Sequence, residues 1–187
     1  GARLRAFDTG EQFAFAGSTL NSTFDVNRND QDDVVYIPYV QKDASASPEP
    51  TWTKGGVLRL STKEDPDPAT WAVSTLIDSG IGPVTSAVAK LQNRNSNTIW
   101  VYFGTGRYFY EQGATTDDAD GKRQLFGIKE PCYGSSGFDG TCTTSVAFCS
   151  APGGTDPALP ATCGDLKNVT DVANIPTDPT NPAFKGW

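Results

Sequence analysis

The stretch Asn21–Val40, NSTFDVNRNDQDDVVYIPYV, is echoed by Gly82–Gly104, GPVTSAVAKLQNRNSNTIWVYFG. Both run from a small polar lead-in through a short strand and a polar loop into an aromatic-aliphatic strand. The copies begin a little over sixty residues apart. Each is followed by a polar stretch and a further glycine-bearing strand, GGVLRLS at 55–61 and QLFGIKE at 124–130. A repeat of strands at this period is the pattern of successive β-propeller blades. Closing such a ring takes typically four to eight blades, so the expectation is an all-β partial β-propeller of about two to three blades, an arc of a larger ring.

Outward from the repeat, residues 1–130 read as strands punctuated by turns. Arg3–Asp8 and Glu11–Phe15 are predicted to form a hairpin around Thr9 and Gly10. Val34–Val40, Val57–Leu60, Trp71–Ile77, Ser86–Leu91, Thr98–Phe103 and Gln124–Ile128 follow, rich in β-branched and aromatic residues and bounded by Gly, Pro, Asn or Asp. No segment holds a helical apolar period. After Pro131 the composition turns to Gly, Pro, Thr, Ser and Asp, so residues 131–187 read as a long irregular insertion that needs disulfides or a neighbouring surface to order it. Its final Gly186–Trp187 is placed to open another strand.

The balance of 15 basic against 22 acidic residues, a net charge of −7, disfavours nucleic acid and anionic membranes and favours multivalent cations. No apolar run reaches membrane-spanning length. With no histidine, the Ser/His/Asp triad, a histidine general base and histidine-ligated zinc or haem are all excluded. Methionine is absent too, and no charged-then-apolar leader precedes Gly1, so the chain is expected to be a piece of something longer.

Cys132, Cys142, Cys149 and Cys163 have spacings that fit neither CxxC redox nor paired zinc motifs, which favours disulfides in an oxidising compartment. Three pairings are open; the local ones, Cys132 with Cys142 and Cys149 with Cys163, are expected.

Within the first copy, Asp25–Asp33 (DVNRNDQDD) carries oxygen-bearing side chains at alternate positions just before an apolar strand. Ca²⁺ takes six to eight oxygens, and a short loop supplies them from positions 1, 3, 5, a backbone carbonyl at 7, and 9. Those are Asp25, Asn27, Asn29, Gln31 and Asp33. Four aspartates relieved only by Arg28 repel one another unless they are solvated or bound to a cation. The competing explanation is an Asx-rich turn. Against it, the equivalent loop of the second copy, Gln92–Asn97, carries no carboxylate. Asp30 stands where the helix-loop-helix calcium pattern has Gly, and Tyr36 where it has a bidentate Glu. The expected dissociation constant is therefore about 10⁻⁶ to 10⁻³ M.

Other candidates read as structural. Asp117, Asp118 and Asp120 before Gly121 fit an exposed turn, and Gly104–Tyr108 lacks the third glycine and the helix of a phosphate loop. Trp52, Trp71, Trp100 and Trp187 fit inter-sheet core better than a sugar-stacking platform. The acceptor patterns at Asn21 and Asn168 are too short to weigh.

The FDVNRNDQDDVVYIPYV segment, GGVLRLS leading to GPVTSAV, and above all WVYFGTGRYF followed by QLFGIKEPC resemble the PilC/PilY proteins, the tip-associated adhesins and biogenesis factors of type IV pili. The resemblance covers about residues 1–132. It implies a C-terminal β-propeller with a calcium loop that influences pilus extension, retraction and surface attachment, exported to the pilus tip or outer surface. It also implies minor pilins, a surface or host ligand and the remainder of the propeller as partners, with Ca²⁺ as the bound ion and no enzymatic activity. Asp25, Asn27, Asn29, Gln31 through its carbonyl, and Asp33 map onto the family's ligands. A rival reading is a segment of a periplasmic quinoprotein dehydrogenase, whose catalytic carboxylate and cofactor-stacking groups have no identifiable counterparts here. A third makes the chain a structural segment of a filament.

Overall fold

Alternation in Val34–Val40 sets the first sheet, because Val34 and Tyr36 are buried while Val35 and Ile37 are half-exposed. The computed structural model describes residues 5–45, 51–78, 80–107, 111–112, 115–116, 123–147, 166 and 186. Its strands are β1 (Ala14–Ala16), β2 (Thr23–Phe24), β3 (Val34–Asp43), β4 (Thr51–Ser61), β5 (Ala72–Ile77), β6 (Ala89–Asn93), β7 (Thr98–Gly104), β8 (Glu111–Gln112), β9 (Thr115–Thr116), β10 (Leu125–Lys129), β11 (Tyr133–Gly134) and β12 (Gly137–Phe138). No helix occurs among the described residues, so none is long and apolar enough to cross a membrane.

The larger sheet runs β1-β3-β4-β5, with β2 also paired to β3, and the second runs β10-β7-β6. All the ladders are antiparallel. Pro38 is tolerated inside β3 because of where its missing donor falls. Tyr36 N–H bonds Ser22 C=O on the outer side, and two residues on, Pro38 faces the break between β2 and β1. Gly55 and Gly56 in β4 have a steric role: a Cβ at Gly55 would strike the Tyr39 carbonyl, and one at Gly56 the Ile77 carbonyl.

The two sheets share one apolar core, in which Val34, Tyr36, Val57 and Leu76 meet Ile99, Val101, Phe103 and Ile128. Each such side chain contributes about 1.5–3 kcal/mol by leaving water. A buried polar network ties the sheets together. Glu130, one residue past β10, accepts from Arg59 Nη2 at 2.6 Å and Nε at 3.1 Å, Tyr36 Oη at 2.7 Å and the Cys132 amide at 2.9 Å. Arg59 also donates to Ser74 Oγ and the Thr144 carbonyl. Neither charged side chain is exposed at all.

Beyond Pro131, β11 and β12 form a small hairpin whose Tyr133 and Phe138 pack on the core, and Val146 is buried in it. The expected Cys132–Cys142 disulfide is present, with Cα atoms 5.5 Å apart. Gly186 bridges Ile128 on β10. Cys149, Cys163, Asp117, Asp118, Asp120, Gly121, Asn168, Tyr108 and Trp187 lie outside the described residues.

One expectation is corrected: no hairpin forms around Thr9–Gly10. Residues 5–10 are in no strand, and an Asx turn closed by Asp8 on the Gly10 amide turns the chain there. Apart from half-buried Phe7, which stacks on Trp71, these residues are exposed, so a strand there would bury almost nothing. β1 instead adds to β3. Among the described residues, Trp71 packs on Phe7, Trp52 on Phe15 and Trp100 on Tyr102, and of these three only Trp100 is buried, so Trp52 and Trp71 do not fill the inter-sheet core expected of them.

Candidate metal centre

Asp25–Asp33 joins β2 to β3, and the Asp33 amide donates to the Phe24 carbonyl at 3.0 Å, closing the loop at its base. Inside it, Val26 is the apolar anchor, 3% exposed in the core, while residues 27–32 face outward. The Asp25 carboxylate turns inward and collects three amides: Arg28 at 2.5 Å and Asn29 at 3.2 Å on Oδ1, Asp30 at 2.8 Å on Oδ2. Asp33, 8% exposed, accepts the Val26 amide at 2.6 Å through Oδ2. Asn29 Oδ1 accepts the Gln31 amide at 3.0 Å. Arg28 and Asp30 take left-handed backbone conformations, φ 65° and 67°, so Asp30 does occupy the region that glycine would favour.

The element that sequence reasoning missed is Glu64. β3 and β4 pair with Val34 opposite Ser61, so the residues just after β4 return beside those just before β3. The Thr62 amide donates to the Asp33 carbonyl and the Thr62 hydroxyl to the Asp32 carbonyl, fixing that approach. Glu64 then accepts from Asn27 Nδ2 on one oxygen and from Asn29 Nδ2, at 3.0 Å, on the other. The one available signal was the run Lys63-Glu64-Asp65 following a strand that pairs with β3.

Four of the five expected side chains, Asp25, Asn27, Asn29 and Asp33, thus lie in one hydrogen-bonded group with Glu64. The Gln31 side chain is exposed and enters only through its main chain. Burial pushes the Asp33 carboxyl up from its usual 3.8; the Val26 amide opposes the rise, and nearby Glu64 and Asp25 add to it. Among the described residues, no three carboxylate, thiol or imidazole groups converge as a metal cage. The Asn27 and Asn29 amides stand between the loop and Glu64, and a half-turn of each amide would present oxygen in place of nitrogen. With the amides so turned, the side-chain donors of Asp25, Asn27, Asn29, Asp33 and Glu64 are all oxygen and carry a surplus of negative charge. That chemistry suits a hard divalent cation.

The second sheet grips the strand that feeds the loop. Lys90 Nζ donates to the carbonyls of Asn21 and Thr23, and Gln92 Nε2 donates to the Val26 carbonyl at 3.0 Å and to Tyr133 Oη at 2.9 Å. In the second copy, Gln92–Asn97 spans the β6–β7 hairpin just as Asp25–Asp33 spans β2–β3. There Asn93 Oδ1 accepts the Asn95 and Ser96 amides without any carboxylate. No protein-family model, curated protein or solved structure matches the chain.

Proposed function

We propose that the chain is a calcium-binding segment of a β-propeller belonging to a type IV pilus tip adhesin or biogenesis factor, with its two main sheets as successive blades. The observation that carries the metal half of this reading is the gathering of Asp25, Asn27, Asn29, Asp33 and Glu64 at the loop, where among the described residues no cationic side chain is hydrogen-bonded to these acids. The pilus half rests on the resemblance of the strand-and-loop motifs quoted above.

Asp25, Asp33, Glu64, the two asparagine amides and the Gln31 carbonyl would hold Ca²⁺, which supplies only charge and coordination. The chain's own residues do the rest. Thr62 ties the loop to the end of β4, and Lys90 and Gln92 tie its leading strand to β6, so ordering of the loop bears on both sheets. Loss of the ion would leave mutually repelling carboxylates at that junction and loosen what the pilus tip can hold.

Calorimetric titration of Ca²⁺ into the intact chain tests the site. The wild type is expected to bind, Asp25→Ala/Asp33→Ala to give no heat, and Glu64→Gln to bind more weakly. Equal heats from all three proteins would refute it. In the full-length protein, a pilus phenotype indifferent to Asp25→Ala would refute the pilus role.

A further inference from the structure

A cavity of about 700 Å³ lies beside the loop, walled by the loop, the β4–β5 turn, the β6–β7 turn and the disulfide-closed β11–β12 hairpin. That volume falls within the range of small-ligand sites, about 300–1,000 Å³.

Its lining has a definite chemistry. Tyr133 and Phe138 are half-buried rings seated on the core, so they present fixed rather than floppy apolar surfaces. Asn27 and Asn97 contribute amides that both donate and accept. Lys63 and Arg94 bring positive charge, and among the described residues neither forms a salt bridge. Backbone strain concentrates here as well: Lys63, Glu64 and Asn97 all line the cavity at φ 56°, 53° and 49°. Holding non-glycine residues there costs roughly 1–2 kcal/mol each, and such strain clusters at ligand sites.

Charge decides which ligand enters. Asp33 and Glu64 on one wall oppose an anion as long as the loop is empty. A divalent cation cancels the charge of those two carboxylates, leaving Lys63 and Arg94 to face the ligand.

We propose that the cavity binds a carboxylate-bearing saccharide, and only when the loop holds its cation: the sugar face lies on Tyr133 and Phe138, its hydroxyls meet the Asn97 amide and the Asn27 NH₂ that the cation leaves free, and its carboxylate meets Lys63 and Arg94. This rests on the calcium reading above. Although Gln92, Tyr133, Gly137 and Phe138 reach the wall from strands, its polar lining is rich in side-chain amides, from Asn27, Gln92 and Asn97, which favours a sugar over an acidic peptide.

The test is calorimetry on the whole chain with tri-galacturonate, sialyllactose and a hyaluronan tetrasaccharide, in saturating calcium and again in EDTA. Galactotriose serves as the neutral control and tri-glutamate as the peptide control. At least one acidic sugar is expected to bind in calcium, to bind at least about tenfold more weakly to Arg94→Gln, and not to bind in EDTA, while galactotriose binds at least about tenfold more weakly than tri-galacturonate or not at all. Arg94→Gln should bind Ca²⁺ no more weakly than the wild type. A normal calcium titration with no binding of any acidic sugar overturns the ligand assignment and leaves the calcium reading intact. Missing calcium heat overturns both. Tri-glutamate binding as tightly as the sugars overturns the saccharide class, and binding that persists in EDTA overturns the dependence on the cation.

Discussion

Replacing Glu130 with glutamine should be the most damaging near-isosteric change in the molecule. The carboxylate faces four donors, two from Arg59, one from Tyr36 and one from the Cys132 backbone, and is fully buried. Glutamine keeps the shape but strands the Arg59 charge at zero exposure, and it turns an NH₂ group toward neighbours that are themselves donors. Removing one partner of a buried pair costs about 3–5 kcal/mol, because the other is left uncompensated. At about 2–4 °C per kcal/mol for a chain of this size, the melting temperature should fall by about 6–20 °C. Urea denaturation of Glu130→Gln, Arg59→Met and the double variant supplies the decisive cycle. The double variant should be no less stable than either single one, since removing both charges also removes the desolvation cost. A loss below about 1 kcal/mol in Glu130→Gln, or additive losses in the double variant, would refute the argument that this network joins the sheets as a charged unit.

Three further outcomes follow from particular residues. The folded-state pKa of Asp33 lies above 3.8, so the native chain binds more protons than the unfolded chain between those two values. Its contribution therefore lowers stability as pH rises through that window, and the penalty is fully present above it. Asp33→Asn should then raise the calcium-free melting temperature at neutral pH while abolishing stabilisation by Ca²⁺; a lower melting temperature in EDTA would contradict this. Cys132→Ser/Cys142→Ser opens a bridge across a separation of 10 residues. Loop entropy puts that loss at about 2–3 kcal/mol, and a denaturation midpoint unmoved by the double replacement would rule it out. Gly55→Ala drives a methyl into the Tyr39 carbonyl and the Pro83 Cα, both backbone. It should cost about 1–3 kcal/mol or more, visible as a shifted urea midpoint, and full stability would show that β4 can move.

Strand positions were legible wherever a period of two met burial on one face. Val34–Val40, Thr98–Phe103 and Gln124–Ile128 come within a few residues of β3, β7 and β10. β2 falls at the short strand of the first copy, whereas the tiny strands β11 and β12 were not legible, because two-residue ladders carry no period and their Gly content reads as turn. Arg59 and Glu130 were invisible for a related reason: a charged residue in a sequence looks solvated until a partner from another sheet is placed against it, here 71 residues away. Glu64 reached the loop through the pairing of β3 with β4, so local spacing within Asp25–Asp33 could not reveal it. The loop residues themselves were legible because their alternation is local.

The two hairpin loops allow the charge in the first to be separated from its turn geometry. Both must satisfy amides that the ladder leaves unpaired at the loop. In the second copy, one neutral side chain, Asn93, accepts two of them. In the first, Asp25 accepts three on its two oxygens, one more than the single oxygen of an asparagine has lone pairs to take. Turn chemistry thus accounts for the carboxylate at position 25. It does not account for Glu64, brought in from another turn to accept from Asn27 and Asn29, or for the burial of the Asp33 carboxylate near Glu64. Like charges assembled at one place lower the stability of the empty loop, and a divalent cation is the partner that would turn that repulsion into attraction.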